Sequence, residues 1–525
     1  MISKPILLLL TLFFSSLTQA ASPFMGINTN EAMHIDASVP FVDLFRVSQP
    51  FDESPAHLSK GAVEYDSHGW VKNLNGGQAG TYFVRWMPVE ALPKGNYTVL
   101  YDGKGVITYA ESAKRETHSE GKDIISLHPN ANNEISASII VRQSDPSDPI
   151  RNIRILLPGG ICQNNPYKRV DSASECSGNY RAFAEHSKEI VFNPAYLNFM
   201  KNFKTIRFMN MSGITRNPIS AWSQRPNLQE ATWAGKEGKR GVPLEIMVKL
   251  ANQLNANAWF NLPHKADNNF ARQHALYVSA NLKPNLKAYI EYSNEAWNEV
   301  FSQAKYVKHQ GAALHLDADK KVAGYKYYAQ RSREIFQIWE QAFGGTQRLQ
   351  RVLSGWSGNP AITPLLLKAA DVYKFTDVFA IAPYFYASQK DLMKAQSSDA
   401  IFNLINDDKQ RYSMAKTIAQ IKKHAELIKP YGVKLIAYEG GQHLVHYKTK
   451  SIHNHPNPVL IAANRDKRME TAYTELLKGF KQAGGTLFMA FSAPRANAHW
   501  GFWGVKEYIG QPASEAPKYR AIIKF

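Results

Sequence analysis

The chain has 525 residues, of which 44% are hydrophobic, 12% aromatic and 20% charged, the balance of an ordinary globular protein. That excludes a disordered tail, a collagen and a multi-span membrane protein. Sixty-two basic against 44 acidic side chains give a net charge of +18, or +17 without Lys4, spread along the chain with no run of five or more cations. Such a balance suits an anionic polysaccharide, the anionic cell envelope or nucleic acid as readily as it suits a generally basic, soluble protein.

The chain opens as an export signal. Lys4 precedes the apolar run Ile6 to Phe14, and Thr18-Gln19-Ala20 gives a small-residue cleavage site, so residues 1–20 are expected to be a signal peptide. The run is too short for a permanent anchor, and no later stretch is long and apolar enough to span a bilayer. A secreted or periplasmic protein is expected. In that oxidising setting Cys162 and Cys176, the two cysteines of the chain, are expected to form a disulfide after the first barrel strand, at the face that carries the active site.

Residues 21–150 read as an all-β domain, a sandwich, from short alternating stretches such as Tyr97 to Leu100, Gly105 to Tyr109 and Ile135 to Val141 between turn residues. The turn-rich segment Ser144 to Pro149 closes it. From Arg151 the pattern becomes apolar strands alternating with amphipathic helices. Eight strands are expected: Ile153 to Leu157, Thr205 to Met209, Ala258 to Leu262, Ala288 to Tyr292, Leu349 to Leu353, Val378 to Ala382, Lys434 to Tyr438 and Thr486 to Phe491. Helices are expected at Pro243 to Leu254, Tyr325 to Ala342, Ser413 to Ile428 and Arg468 to Ala483. Eight such units over residues 151–525 predict a (β/α)8 barrel, whose chemistry sits where strands run into loops at the C-terminal face.

Two carboxylates stand at such places. The fourth strand runs into Ser293-Asn294-Glu295, and the seventh into Tyr438-Glu439-Gly440. Strands three apart in a closed barrel face one another across its mouth. Glycoside hydrolysis needs such a pair, one protonated to release the leaving oxygen and one ionised to meet the anomeric carbon.

In Asn294-Glu295 at strand four and Glu439 at strand seven the chain resembles the clan A retaining glycoside hydrolases. The resemblance implies Glu295 as general acid/base, Glu439 as nucleophile and Asn294 as a contact to the sugar. It also implies Arg207 in strand two and Tyr384 after strand six as neighbours of the nucleophile. Where the family has a tryptophan at the end of strand eight this chain has Phe491-Ser492, and Trp500 or Trp503 would have to take its place. The whole chain is similar, too, to large bacterial secreted proteins loosely described as cellulose-binding.

Other residues have two readings each. His264, after strand three, suits either a sugar contact or a structural histidine, and Trp297 either stacks on a sugar or packs beneath the mouth. The segment Ser212 to Val242 carries Trp222, Trp233, Arg216, Arg225, Lys236, Lys239 and Arg240, which fit a sugar with carboxylate or sulfate groups, so an acidic glycan is one expected substrate. His443, His446, His453 and His455 have spacings able to hold zinc or copper, which keeps a metal-dependent hydrolase as a rival, although no carboxylate or cysteine stands at ligand spacing. A barrel that binds carbohydrate without cleaving it is the other rival. No phosphate-binding loop, dinucleotide fingerprint, serine elbow or nucleic-acid motif is present. The expected protein is a polysaccharide hydrolase that needs neither metal nor organic cofactor.

Overall fold

The computed structural model describes residues 22–525 except 447, 450, 452 and 453, so the expected signal peptide lies outside the described residues. Among those described, no helix is long and apolar enough to cross a membrane.

Eight parallel strands close into a barrel: Met25–Asn28, Thr205–Arg207, Asn257–Leu262, Ala288–Tyr292, Leu349–Ser354, Val378–Ile381, Lys434–Ala437 and Phe488–Ala490. Met25 pairs with Phe488 and Ile27 with Ala490, which shuts the ring. Gly26 lets the first strand approach its neighbours, since a Cβ there would run into Met489 and the Thr205 carbonyl. Strands two to eight fall where the apolar runs predicted them.

The first strand does not. Arg151–Leu156 pairs antiparallel with Tyr97–Asp102, with Ile155 opposite Val99, and belongs to the β-sheets instead of the barrel. The division into 21–150 and 151–525 is therefore corrected: the barrel begins at Met25, and the β-sheets interrupt it between its first and second strands. One sheet has the order Arg151–Leu156, Tyr97–Asp102, Lys122–Leu127, Ala113–Ser119, and the other Ala79–Pro88, Glu134–Ser144, Gly105–Glu111. Their buried residues, among them Val99, Ile125 and Ile155 from the first and Phe83, Ile107 and Ile139 from the second, join the same apolar core as the barrel.

The helices form where capping and periodicity coincide. Lys320–Phe343 starts at Asp319, whose carboxylate accepts the Lys321 and Val322 amide protons, and stops at Gly344 with φ 67°. Its buried face, Tyr325, Tyr328, Ala329, Ser332, Ile335, Phe336 and Trp339, follows the helical repeat. Tyr328 reaches the barrel, where its hydroxyl accepts the Ser354 amide proton at 3.1 Å.

Cys162 and Cys176 are bonded, but not at the active face. Cys162 ends the strand Gly160–Cys162 of a small three-stranded sheet, whose outer strand Asn165–Val170 packs on the helix Pro194–Met200 that leads into the start of barrel strand two. The bridge thus braces the connection between the inserted sheets and the barrel. Replacing both cysteines by serine should lower unfolding stability by about 3 kcal/mol, the chain-entropy value for so short a loop, while leaving the KM of the folded protein unchanged; denaturant titration alongside kinetics checks both.

Candidate active site

The centre of the site is a charge with no access to water. Arg207, the last residue of barrel strand two, is 0% exposed. Its Nη2 donates to Glu291 Oε2 at 3.0 Å and Asn294 Oδ1 at 3.0 Å, and its Nη1 to Glu439 Oε1 at 3.1 Å and Asn28 Oδ1 at 3.2 Å. The guanidinium lies between the rings of Trp259 and Tyr438, 5.2 and 5.1 Å from their centroids. Burial works against its charge, and Glu291 and Glu439 more than restore it.

Glu291 went unremarked in the sequence, where it looked like one more strand residue. Buried in strand four, it also accepts from Trp259 Nε1 at 3.0 Å, Asn261 Nδ2 at 2.7 Å and the Ser354 hydroxyl. Both its oxygens thereby have donors, and it fixes the guanidinium that holds Glu439. Asn28, ending strand one, was missed because that strand was sought elsewhere.

Glu439 and Glu295 are held in different ways. Glu439, only 7% exposed, takes Arg207 on one oxygen and the Tyr384 hydroxyl, at 3.0 Å, on the other. Burial pushes its carboxyl up to about 8, with Glu295 adding to the rise while Arg207 and Tyr384 oppose it. Glu295 is half-buried, and accepts from the Tyr438 hydroxyl at 2.9 Å and from Asn298 Nδ2 at 2.9 Å. Both tyrosines are raised, chiefly by burial and then by these carboxylates, so they stay protonated as donors.

Asn294 and Glu295 are aimed by an unusual turn. Ser293 and Glu295 have φ of 63° and 46°, left-handed backbone that costs a non-glycine residue on the order of 1–3 kcal/mol each. The surroundings enforce it: the Ser293 amide donates to Leu262 O at 3.0 Å, and Gln303 Nε2 to the Asn294 carbonyl at 2.8 Å.

Both glutamates open onto a cleft of about 910 Å³ with aromatic walls that include Trp297, Trp356, Tyr384, Trp500 and Trp503, and Phe491 stands among them just past strand eight. Trp503 packs edge-on to Phe491 at 6.0 Å and donates its indole proton to His443 Nδ1 at 3.2 Å. Burial pushes His443 down to about 4, leaving it a neutral acceptor. Trp297 is 6% exposed and packs edge-on against Tyr438, so it lies beneath the mouth with one edge in the cleft.

The structure keeps several expected residues out of the cleft. His264 is buried edge-on against Tyr306, and burial pushes it down to about 4; it does not line the cleft. Trp222 packs on Phe270, and Trp233 on Phe41. Arg225 pairs with Glu245, and Arg216 with Glu237. Arg240 reaches the cleft, beside Glu237 and Glu31, whereas Lys239 lines a different cavity next to residues 45–69. Arg216, Arg225 and Arg240 thus meet the protein's own carboxylates, while Lys236 and Lys239 are exposed and do not line the cleft. The histidines do not converge either: His443 serves Trp503, His446 bonds Thr449, His455 Nε2 lies 2.8 Å from the Met393 carbonyl, and His453 is outside the described residues. No group of three metal-ligating side chains occurs among the described residues.

The sequence matches no protein-family model and no curated protein. In fold it is similar to a Bacteroidetes-affiliated GH5 cellulase, 12% identical over 62% of this chain and 84% of that one with a TM-score of 0.39. It is similar also to an endo-1,4-beta-xylanase from Caldicellulosiruptor owensensis (13%, 63% and 92%, TM-score 0.38) and a family 5 xyloglucanase from Paenibacillus pabuli (11%, 70% and 98%, TM-score 0.38). Likenesses this distant carry nothing about the site, which stands on the chain's own strand pairing and side-chain geometry.

Because Arg207 has no solvent to fall back on, Glu291→Ala should cost about 3–5 kcal/mol, the penalty for removing one partner of a buried ion pair. Chemical denaturation of the variant beside Glu299→Ala, an exposed control, measures it.

Proposed function

We propose that the protein is an exported retaining glycoside hydrolase that cleaves a polysaccharide with Glu295 as acid/base and Glu439 as nucleophile. The observation that carries this reading is the unequal setting of the two carboxylates: Glu439 gripped by Arg207 and Tyr384, Glu295 half-buried at the cleft and bonded by Tyr438 and Asn298. A nucleophile needs a fixed direction and a nearby cation for its charge. An acid/base needs access to the leaving oxygen, then to water.

In the first step the Glu295 proton goes to the glycosidic oxygen as that bond to the anomeric carbon breaks, and a Glu439 oxygen forms a glycosyl ester. In the second, Glu295 takes a proton from water, whose oxygen attacks the anomeric carbon and releases Glu439 as carboxylate. The Arg207 guanidinium neutralises the charge on Glu439 before attack and after release. Asn294, its Oδ1 turned to Arg207, donates its amide weakly to the Thr215 hydroxyl at 3.5 Å and lines the cleft, where a sugar hydroxyl would take that amide proton instead. Export rests on residues 1–20 and on the disulfide.

The two roles separate on an activated aryl glycoside, whose leaving group needs no protonation. Glu295→Ala should lose about 100- to 10,000-fold on the natural polymer, the usual worth of a general acid, yet keep a fast first step on the aryl glycoside and recover turnover with azide, giving a glycosyl azide of unchanged configuration. Glu439→Ala should be inactive on both substrates, and any azide product should be of opposite configuration. Full activity in Glu439→Ala would refute the assignment.

The pH profile follows from the pair acting together. The working form holds one proton between the two carboxyls, and the burial of Glu439 beside Glu295 keeps that last proton on the pair up to about 8. The kcat/KM should therefore fall as pH rises through about 8, when the last proton leaves the pair. A rate still climbing above that value would contradict the shared proton.

A further inference from the structure

The β-sheets inserted after barrel strand one bring a tryptophan to the rim of the cleft. Trp86, in the strand Ala79–Pro88, is 51% exposed, the largest exposure of any large hydrophobic side chain of the inserted sheets. Its placement is built. The pairing with Glu134–Ser144 shifts register between Val84 and Met87, and Trp86 takes φ 52°, so the strand bulges and turns this side chain outward. The Ser136 hydroxyl oxygen accepts its amide proton at 3.0 Å, and the Arg85 guanidinium covers one face of its ring at 4.1 Å. An indole supported from one face and half exposed presents the rest of its surface to a ligand.

Trp86 borders a groove of about 570 Å³ that runs on from the active-site cleft, the two meeting along Glu31, Arg495 and Trp500. The arginines of this groove are already matched, Arg495 to Glu31 at 3.0 Å and Arg465 to Glu507 at 2.6 Å, while Asp36 and Glu134 add further carboxyls to its walls. An anionic polymer would meet an excess of carboxylates there; hydroxyl-rich sugar rings meet hydrogen-bonding groups and two indoles.

From this continuity we infer that the inserted domain completes the substrate site: an uncharged polysaccharide chain lies from Glu295 and Glu439 over Trp500 to Trp86, with Trp86 stacking on a sugar several units from the bond that is cut. The inference rests on the proposed hydrolase activity and adds to it that the substrate is a long neutral chain bound at internal positions.

The test compares wild type, Trp86→Ala and Trp86→Phe on an uncharged polysaccharide and on a short aryl glycoside, and measures retardation by neutral and acidic polymers in affinity electrophoresis. Alanine keeps a Cβ at this left-handed position, so the backbone is not altered, and thermal melting confirms the fold. Trp86→Ala should raise KM for the neutral polymer roughly tenfold, in line with loss of a buried aromatic anchor, with kcat little changed, because remote contacts bind ground and transition state alike. Its aryl glycoside kinetics should match wild type, and Trp86→Phe should restore most of the loss. Equal KM and equal retardation in wild type and Trp86→Ala would overturn the inference, as would retardation by acidic polymers alone. Should wild type turn over no glycoside while retardation by a neutral polymer still depends on Trp86, the hydrolase reading fails and the groove stands.

Discussion

A guanidinium sealed from water must be neutralised where it stands, and the way Arg207 is neutralised organises this molecule. Glu291 and Glu439 share the charge, Asn28 and Asn294 accept beside them from the two terminal nitrogens, and Ser354 and Asn261 complete Glu291. These residues come from barrel strands one to five and seven or the turns that end them. A barrel whose strands slipped in register would leave buried charges unpaired, at several kcal/mol each. The ion pairs that define the register are thus the ones that fix a carboxylate at the mouth.

The insertion gains meaning from the same arrangement. The chain leaves the barrel after Asn28, builds two larger sheets, the two-stranded pair Glu64–Tyr65 with Val71–Asn73 and a disulfide-braced connection, and returns at Thr205 beside the strand it left. Since Gly26 and Thr205 pair directly, the excursion is closed at its base and its sheets pack into the common core. A domain held in that way has a defined position over the rim, which a flexibly tethered module would not.

Seven barrel strands were legible because each is an apolar run between amphipathic helices, and the C-terminal ends of strands four and seven pointed to Glu295 and Glu439. The first strand was not, for a physical reason: Met25–Asn28 has four residues and no α-helix between it and the inserted sheets, whereas Arg151–Leu156 has the apolar content of a barrel strand but pairs antiparallel with Tyr97–Asp102. Glu291 carried a signal that could have been read, a carboxylate inside an apolar strand, which demands a buried partner. The basic segment and the histidine segment misled for the opposite reason. The partners of the basic segment, Glu237 and Glu245, lie within it or just beyond it and are met only once the chain folds back, while Trp503 reaches His443 from 60 residues away, so exposure judged from local sequence was overstated. Trp86 could not be found at all without the bulge and the groove that give it a place.

The central claim is that Glu439, oriented by Arg207 and Tyr384, carries the sugar covalently. Incubating the protein with a slow activated fluoroglycoside, then mapping the modified peptide by mass spectrometry, tests it directly. One glycosyl group per chain is expected, on the peptide containing Glu439, and none in Glu439→Ala. A label on Glu295, or complete turnover of the natural substrate with inverted configuration and no ester, would contradict it.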